Sequence, residues 1–260
     1  MNKSKKVVFS KNTMRNIIVC AVAIFLIFGI VITSFLLDDT YKYSPNTKTL
    51  LYHLIMDEPY SPYTYLFVKE SDFEEQLRKI RDSHISTYFA DEPQKADGEL
   101  CFVLTFDDGY IDNYTTAFPL LEKYEVKATI FIITDMVGKE GYLTEEQIKE
   151  MAQSEYIRFG SHTASHVPLD ELDDDALEHE LRGSKEYLES LVGKKVSTLS
   201  YPNGRYNKKI EKAAKKAGYR YCYTTDVPSE DRYANTCLPR DYVPRDMTES
   251  EFASFFDKKR

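Results

Sequence analysis

Tryptophan is absent from this sequence, so aromatic packing falls to 15 phenylalanines and 20 tyrosines. That many tyrosines speaks for packing and general surface use more than for one specialised cleft. Cysteine is scarce, with four in 260 residues. Cys20 lies in a long apolar run, Cys101 in a strand-like run, and only Cys222 and Cys237 are placed to pair. So low a density excludes a disulfide framework. No internal repeat or low-complexity tract is visible. Positive charge is also lacking beyond the N-terminus: the chain carries −8, the first 37 residues carry +5, and the rest carries −13. Such a surface has no electrostatic footprint for nucleic acid and would not dock flat on an anionic membrane.

One long uncharged run is present. Residues 17–37 hold no charged side chain, and 21 residues at about 1.5 Å each span the roughly 30 Å hydrocarbon core of a bilayer. Lys3, Lys5, Lys6, Lys11 and Arg15 precede the run, and Asp38 and Asp39 follow it. This asymmetry predicts a cytoplasmic N-terminus with the remainder outside the cell. A cleaved signal peptide would have a shorter apolar region ending in small residues. This one ends Ser34-Phe35-Leu36-Leu37, which favours an uncleaved anchor. The expected organisation is a basic cytoplasmic tail (1–16), a single-pass membrane anchor (17–37), a polar stalk (38–48) and one domain (49–260).

Within that domain, apolar β-rich runs recur at Leu50–Met56, Leu100–Phe106, Lys127–Thr134, Tyr156–Gly160, Val196–Tyr201, Tyr219–Thr224 and Leu238–Val243. Several are nearly continuous, as for strands covered on both faces. Helical patterns separate them. Asp72–Asp82 follows Ser71, with Glu74 at capping-box spacing, and Thr144 opens a second helix with Gln147. One long stripe runs through Leu177, Leu181, Leu188 and Leu191. Lys208–Ala217 is stopped by Gly218, and Glu249–Phe256 is a last, weaker helix. This alternation predicts an α/β fold, a parallel barrel or a doubly wound sheet. In both, chemistry belongs at the carboxyl ends of the strands.

Three segments fall at that rim. Asp107-Asp108-Gly109 ends the Leu100–Phe106 run, Ser161-His162-Thr163-Ala164-Ser165-His166 follows the Tyr156–Gly160 run, and Asn203 follows the Val196–Tyr201 run. Asp-Gly is a common turn dipeptide and histidines are often only surface residues. Together, however, one carboxylate and two imidazoles four residues apart make a three-ligand set with an open metal position. The second carboxylate is then free to act as a base. Adjacent strand residues face opposite ways, so both carboxylates meet only if the backbone bends, which Gly109 permits. The adjacency also argues against a glycosidase, whose two carboxyl groups flank the bond about 5 Å or more apart.

TFDDG, SHTASH and SYPNGRYN resemble the first three motifs of the polysaccharide deacetylases, carbohydrate esterase family 4, with their NodB-like domain. The early Leu51-Tyr52-His53 and the YPNG form resemble the poly-N-acetylglucosamine deacetylase branch. The resemblance covers roughly Leu50–Val243. It implies a deformed (β/α)7 barrel following the single transmembrane helix, and a divalent metal on Asp108, His162 and His166, usually zinc, with cobalt or nickel as alternatives. It makes Asp107 the general base and the Asn203 backbone N–H a donor to the oxyanion. Many members use a late histidine to protonate the leaving amine, but this chain has none after His179. His179 and His84 read as surface residues. In the branch resembled, an early Tyr-His takes that role, which points to His53, although an isolated histidine in an apolar run is also commonly a core residue.

The third motif departs from the common form: Ser200 stands where an arginine normally holds the base. Arg240 is the candidate replacement, since arginine clamps carboxylates bidentately, with Arg245 as a rival. Tyr110 and Asp112 are placed to shape a cleft. The expected activity is metal-dependent removal of N-acetyl groups from an N-acetylglucosamine-containing glycan at the cell surface. The rivals are an O-acetyl esterase, a deacetylase of peptidoglycan or a wall-linkage sugar, and a catalytically silent glycan-binding protein.

Overall fold

A computed structural model describes residues 46–59, 62–92, 99–225 and 235–257. The predicted tail and anchor, and all but the end of the stalk, lie outside them. Among the described residues, no helix is long and apolar enough to cross a membrane. The strands are β1 (Thr47–Tyr52), β2 (Leu54–Ile55), β3 (Phe67–Val68), β4 (Ser86–Thr87), β5 (Cys101–Phe106), β6 (Ala128–Ile132), β7 (Ile157–Ser161), β8 (Thr198–Ser200), β9 (Tyr221–Tyr223) and β10 (Asp241–Tyr242). β1 begins two residues inside the predicted stalk. Every pairing between these strands is parallel, in the order β10-β1-β5-β6-β7-β8-β9, with β4 beside the start of β5.

The predicted strand Leu238–Val243 proves to be two contacts. Leu238 bridges to Tyr223 of β9, and β10 then pairs with β1. One short segment therefore touches both ends of the sheet, which curls round on itself. The predicted strand Leu50–Met56 breaks at His53: β1 stays in the main sheet, while β2 leaves it to pair with β3.

β1 and β5 are buried at all six positions, as strands covered on both faces must be. Alternation then sorts the faces. Phe102, Leu104, Phe106, Ile130, Ile132, Phe159 and Leu199 join the large cluster under the helices. Val103, Phe131, Tyr221, Tyr223 and Leu238 form a small cluster inside the curl. Continuing the inner-face parity to the strand ends brings His53, Asp107, His162, Ser200, Arg240 and Tyr242 to one mouth. Tyr52, Tyr201, Tyr219 and Tyr223 are among the largest fully buried side chains, so packing does claim many of the tyrosines.

The helices are α1 (Glu70–Asp82), α2 (Phe118–Tyr124), α3 (Glu145–Met151), α4 (Asp174–Glu178), α5 (Ser184–Val192), α6 (Lys208–Ala217) and α7 (Glu249–Ser254). The Thr144–Gln147 capping box forms, and Gly218 ends α6 at φ +96°. The Ser71–Glu74 box does not. α1 starts at Glu70, placing Ser71 inside the first turn, and the distant Asp57 carboxylate accepts the Glu70 N–H at 3.2 Å. The single long helix expected over Asp173–Leu191 is interrupted by a π-helical turn, His179–Gly183, between α4 and α5.

Candidate functional site

Backbone geometry makes the convergence possible. Asp108 and Gly109 both adopt left-handed φ, +74° and +77°. This double bend turns Asp107 and Asp108 toward the same mouth. A Cβ on Gly109 would lie 2.7 Å from Ile132 Cδ1, and one on Gly160 would lie 2.5 Å from Phe131 and Thr198. Glycine is thus required at Gly160 for β7 to approach its neighbours. Thr163, His166 and Asn203 also hold positive φ, a clustering of strained backbone typical of functional sites.

Asp108, His162 and His166 each offer a ligand atom, and these atoms lie within 4.8 Å of one another. His162 Nε2 is 3.5 Å from Asp108 Oδ1, and His166 Nε2 is 3.9 Å from the same oxygen. His162 Nδ1 lies 2.8 Å from the Ser200 carbonyl, which can only accept, so Nδ1 carries the proton and Nε2 presents its lone pair to Asp108. Burial lowers the pKa of both histidines and raises that of Asp108. Neutral imidazoles with a free Nε2 beside a carboxylate are the donor set a divalent cation requires, so these residues fit a metal.

Asp107 lies 3.7 Å from His162 and is 3 % exposed. Arg240 grips it with both arms: Nη1 donates to Oδ1 and Nη2 to Oδ2, each at 2.7 Å. The Ser200 hydroxyl donates to Oδ2 at 3.0 Å and accepts from Arg240 Nη2 at 2.9 Å. Burial pushes the Asp107 pKa up, but Arg240 and the neighbouring histidines outweigh it and hold the carboxyl well below the usual range. The guanidinium of Arg240 is itself buried. Arg245 lies elsewhere, donating to the carbonyls of Met56 and Asp57.

His53 stands at the break between β1 and β2, close enough to feel the charges of Asp107 and Arg240. Burial brings its pKa down to about 4. Its Nδ1 is buried without a hydrogen-bond partner, and its ring lies 5.7 Å from that of Tyr242. Asn113 Nδ2 donates to its backbone carbonyl at 3.0 Å. Asp112 accepts the Ile55 N–H at 2.6 Å, fastening β2, and Tyr110 stacks on Tyr142 at 5.0 Å. Asn203 is exposed on the turn after β8, whose own two hydrogen bonds use the N–H groups of Gly204 and Arg205 rather than its own. His84 and His179 are exposed. Cys101, Cys222 and Cys237 are buried thiols, so the possible Cys222–Cys237 pair is not formed.

Two contributors escaped the sequence reading. Ser200 registered only as a missing arginine, yet its hydroxyl and carbonyl connect Asp107 to His162. Glu180 gave no signal within a polar stretch of helix. Its carboxylate accepts the N–H groups of Ala164 and Ser165, both at 2.9 Å, and so caps the loop that carries His162 and His166.

A family model described as polysaccharide deacetylase matches residues 94–222. YxkH of Bacillus subtilis strain 168, assigned as a polysaccharide deacetylase, is 34% identical over 230 residues, covering 86% of this chain and 82% of that one. The poly-β-1,6-N-acetyl-D-glucosamine N-deacetylase of Staphylococcus aureus strain MSSA476 is 28% identical over 196 residues, covering 68% and 66%. The structure of the Streptococcus pyogenes deacetylase PplD in complex with acetate has a TM-score of 0.71 at 29% identity, covering 81% of this chain and 98% of that one.

Proposed function

The chain belongs to the polysaccharide deacetylase family, and on that premise we propose that it is a metal-dependent hydrolase removing N-acetyl groups from N-acetylglucosamine residues of a cell-surface polysaccharide. The observation that carries this reading is the two-armed grip of Arg240 on Asp107 beside the Asp108–His162–His166 cluster. A structural metal site has no use for a second carboxylate held ionised next to it.

Asp108, His162 and His166 would hold the cation, with zinc first and cobalt or nickel as alternatives. Bound there, it would supply Lewis acidity and bring the pKa of a water from 15.7 to about 7. Asp107 receives the proton of the attacking water. A carboxylate has about four lone-pair sites. Arg240 takes one on each oxygen and Ser200 a second on Oδ2, which leaves Oδ1 as the basic atom. A carboxylate held this low in pKa is a weak base, so it works only on a strongly acidified water.

The Asn203 N–H donates to the oxyanion as the carbonyl becomes tetrahedral, a contact typically worth about 3–4 kcal/mol in the transition state. His53 is neutral at rest. The growing negative charge raises its proton affinity, so it takes up the proton that Asp107 received from the water and gives it to the departing amine. Atoms and charge balance: water and acetamide give acetic acid and an amine, which leave as acetate and an ammonium group.

The reading also places the domain outside the cell, held by residues 17–37. Acetate release from N-acetylglucosamine oligomers, followed by product mass spectrometry with and without chelator, tests the chemistry. Chelator-sensitive release of acetate with a matching loss of acetyl mass is expected. Release only from O-acetylated glycans would replace the reading with an esterase, and metal binding with no release from any acetylated glycan would replace it with a binding protein.

A further inference from the structure

Tyr63 and Tyr65 are the large hydrophobic side chains left exposed among the described residues, at 57% and 52%. They border and occupy the short 3₁₀ helix Thr64–Leu66 that leads into β3. The turn is firmly seated: Phe67 and Val68 are buried beneath it, and β3 pairs in register with β2, the strand that begins directly after His53. Two exposed rings are therefore displayed on a buried anchor tied to the site.

The rings continue inward. Tyr63 lies 6.0 Å from Tyr65, Tyr65 lies 6.2 Å from Tyr242, and Tyr242 lies 5.7 Å from His53. Tyr242 follows Arg240 on the inner face, and its hydroxyl is buried with no hydrogen-bond partner. A buried hydroxyl left unsatisfied costs stability, and a ligand hydroxyl would remove that cost. An acetylated glycan carries no charge on its acetamidoglucose rings, so ion pairs cannot recognise it. What it offers is flat C–H faces for aromatic rings and hydroxyls for phenols, which suits an aromatic body with a polar tip.

We propose that Tyr63, Tyr65 and Tyr242 form a stacking subsite for the pyranose rings of the glycan that flank the sugar whose acetamide reaches Asp107. The glycan class rests on the deacetylase reading above; the subsite itself rests on the ring path and the unsatisfied hydroxyl.

The test uses the full chain, metal-loaded, with Tyr63→Ala/Tyr65→Ala and Tyr63→Phe/Tyr65→Phe double variants. On an N-acetylglucosamine hexamer, the alanine pair should raise KM roughly tenfold, about 1.4 kcal/mol of binding, with kcat little changed. The loss should be much smaller on the single sugar, and the phenylalanine pair should keep most of the hexamer affinity. Equal losses on hexamer and single sugar, or no change in KM, would overturn the subsite. Affinity electrophoresis through gel containing the polymer reads binding independently of turnover, using Asp107→Asn as the background. Retention that depends on the two rings, together with no acetate release by the metal-loaded wild type, would keep the subsite and sink the deacetylase reading. Normal release with retention indifferent to the rings would do the reverse.

Discussion

Arg240 shows what a single side chain decides at this site. It neutralises a carboxylate that is otherwise buried, and its planar fork fixes which oxygen of Asp107 remains free. Lysine can supply the charge but not the fork. Arg240→Lys should therefore lower kcat by roughly tenfold or more while KM holds, one factor of ten being about 1.4 kcal/mol. Arg240→Ala strands a buried charge and should cost about 3–5 kcal/mol of stability, read as a lower urea midpoint. Asp107→Asn should lose turnover by at least about a hundredfold while still binding metal in a titration. Loss of metal along with activity would show that Asp107 is a ligand rather than the base.

His53 makes a separate prediction. Its folded pKa of about 4 lies below the ordinary value near 6.5, so the unfolded chain binds its proton more readily. The stability that this neutral histidine contributes is full above pH 6.5 and is lost as the pH falls toward 4. At about 1.4 kcal/mol per pH unit the ceiling is about 3 kcal/mol, reduced because the residue is only partly buried. Urea midpoints of wild type and His53→Gln should converge between pH 6.5 and pH 4. A constant gap across that window would rule out the effect.

At the scale of elements, the π-helical turn between α4 and α5 matters most. An extra residue in the turn lets Glu180 face the loop from Ala164 to Ser165, where it accepts two N–H groups. Outer supports of a metal site typically affect affinity by about 10–100-fold. Glu180→Gln should weaken zinc affinity within that range in a chelator competition, while far-ultraviolet circular dichroism stays unchanged.

The same element shows where sequence reading stops. Leucines at helical spacing announced a helix over 173–191, but nothing in that pattern encodes one inserted residue. Asp107, Asp108, His162 and His166 were legible because metal chemistry restricts residue type and spacing. Arg240 was legible only as one of two arginines, since the choice depends on the way residues 238–242 reach both β9 and β1. Ser200 was hidden because serine is common, and its role comes wholly from two long-range contacts. The α1 cap was misread because a local Ser–Glu pattern was overridden by Asp57, thirteen residues upstream of Glu70.

At the scale of the whole molecule, the inner mouth gathers residues from five distant stretches of sequence, so metal and fold are linked. A cation that binds only the native state adds about 4 kcal/mol at a thousandfold excess over its dissociation constant. Zinc should raise the melting temperature of the wild type measurably, and chelator should reverse the shift. His162→Ala should abolish that response. A wild-type melting curve indifferent to zinc would argue against a site formed by the native fold.

The closure of the sheet carries one more consequence. Asp107 emerges from the ribosome long before Arg240, which lies on the segment that joins the two margins of the sheet. Until that segment is made, the nascent chain has no arginine to pair with its central carboxylate and no strand to join the two margins. Premature termination shortly before residue 238 would therefore yield a polypeptide unable to settle, rather than a slower enzyme, and quality control would see a fragment exposing its hydrophobic interior.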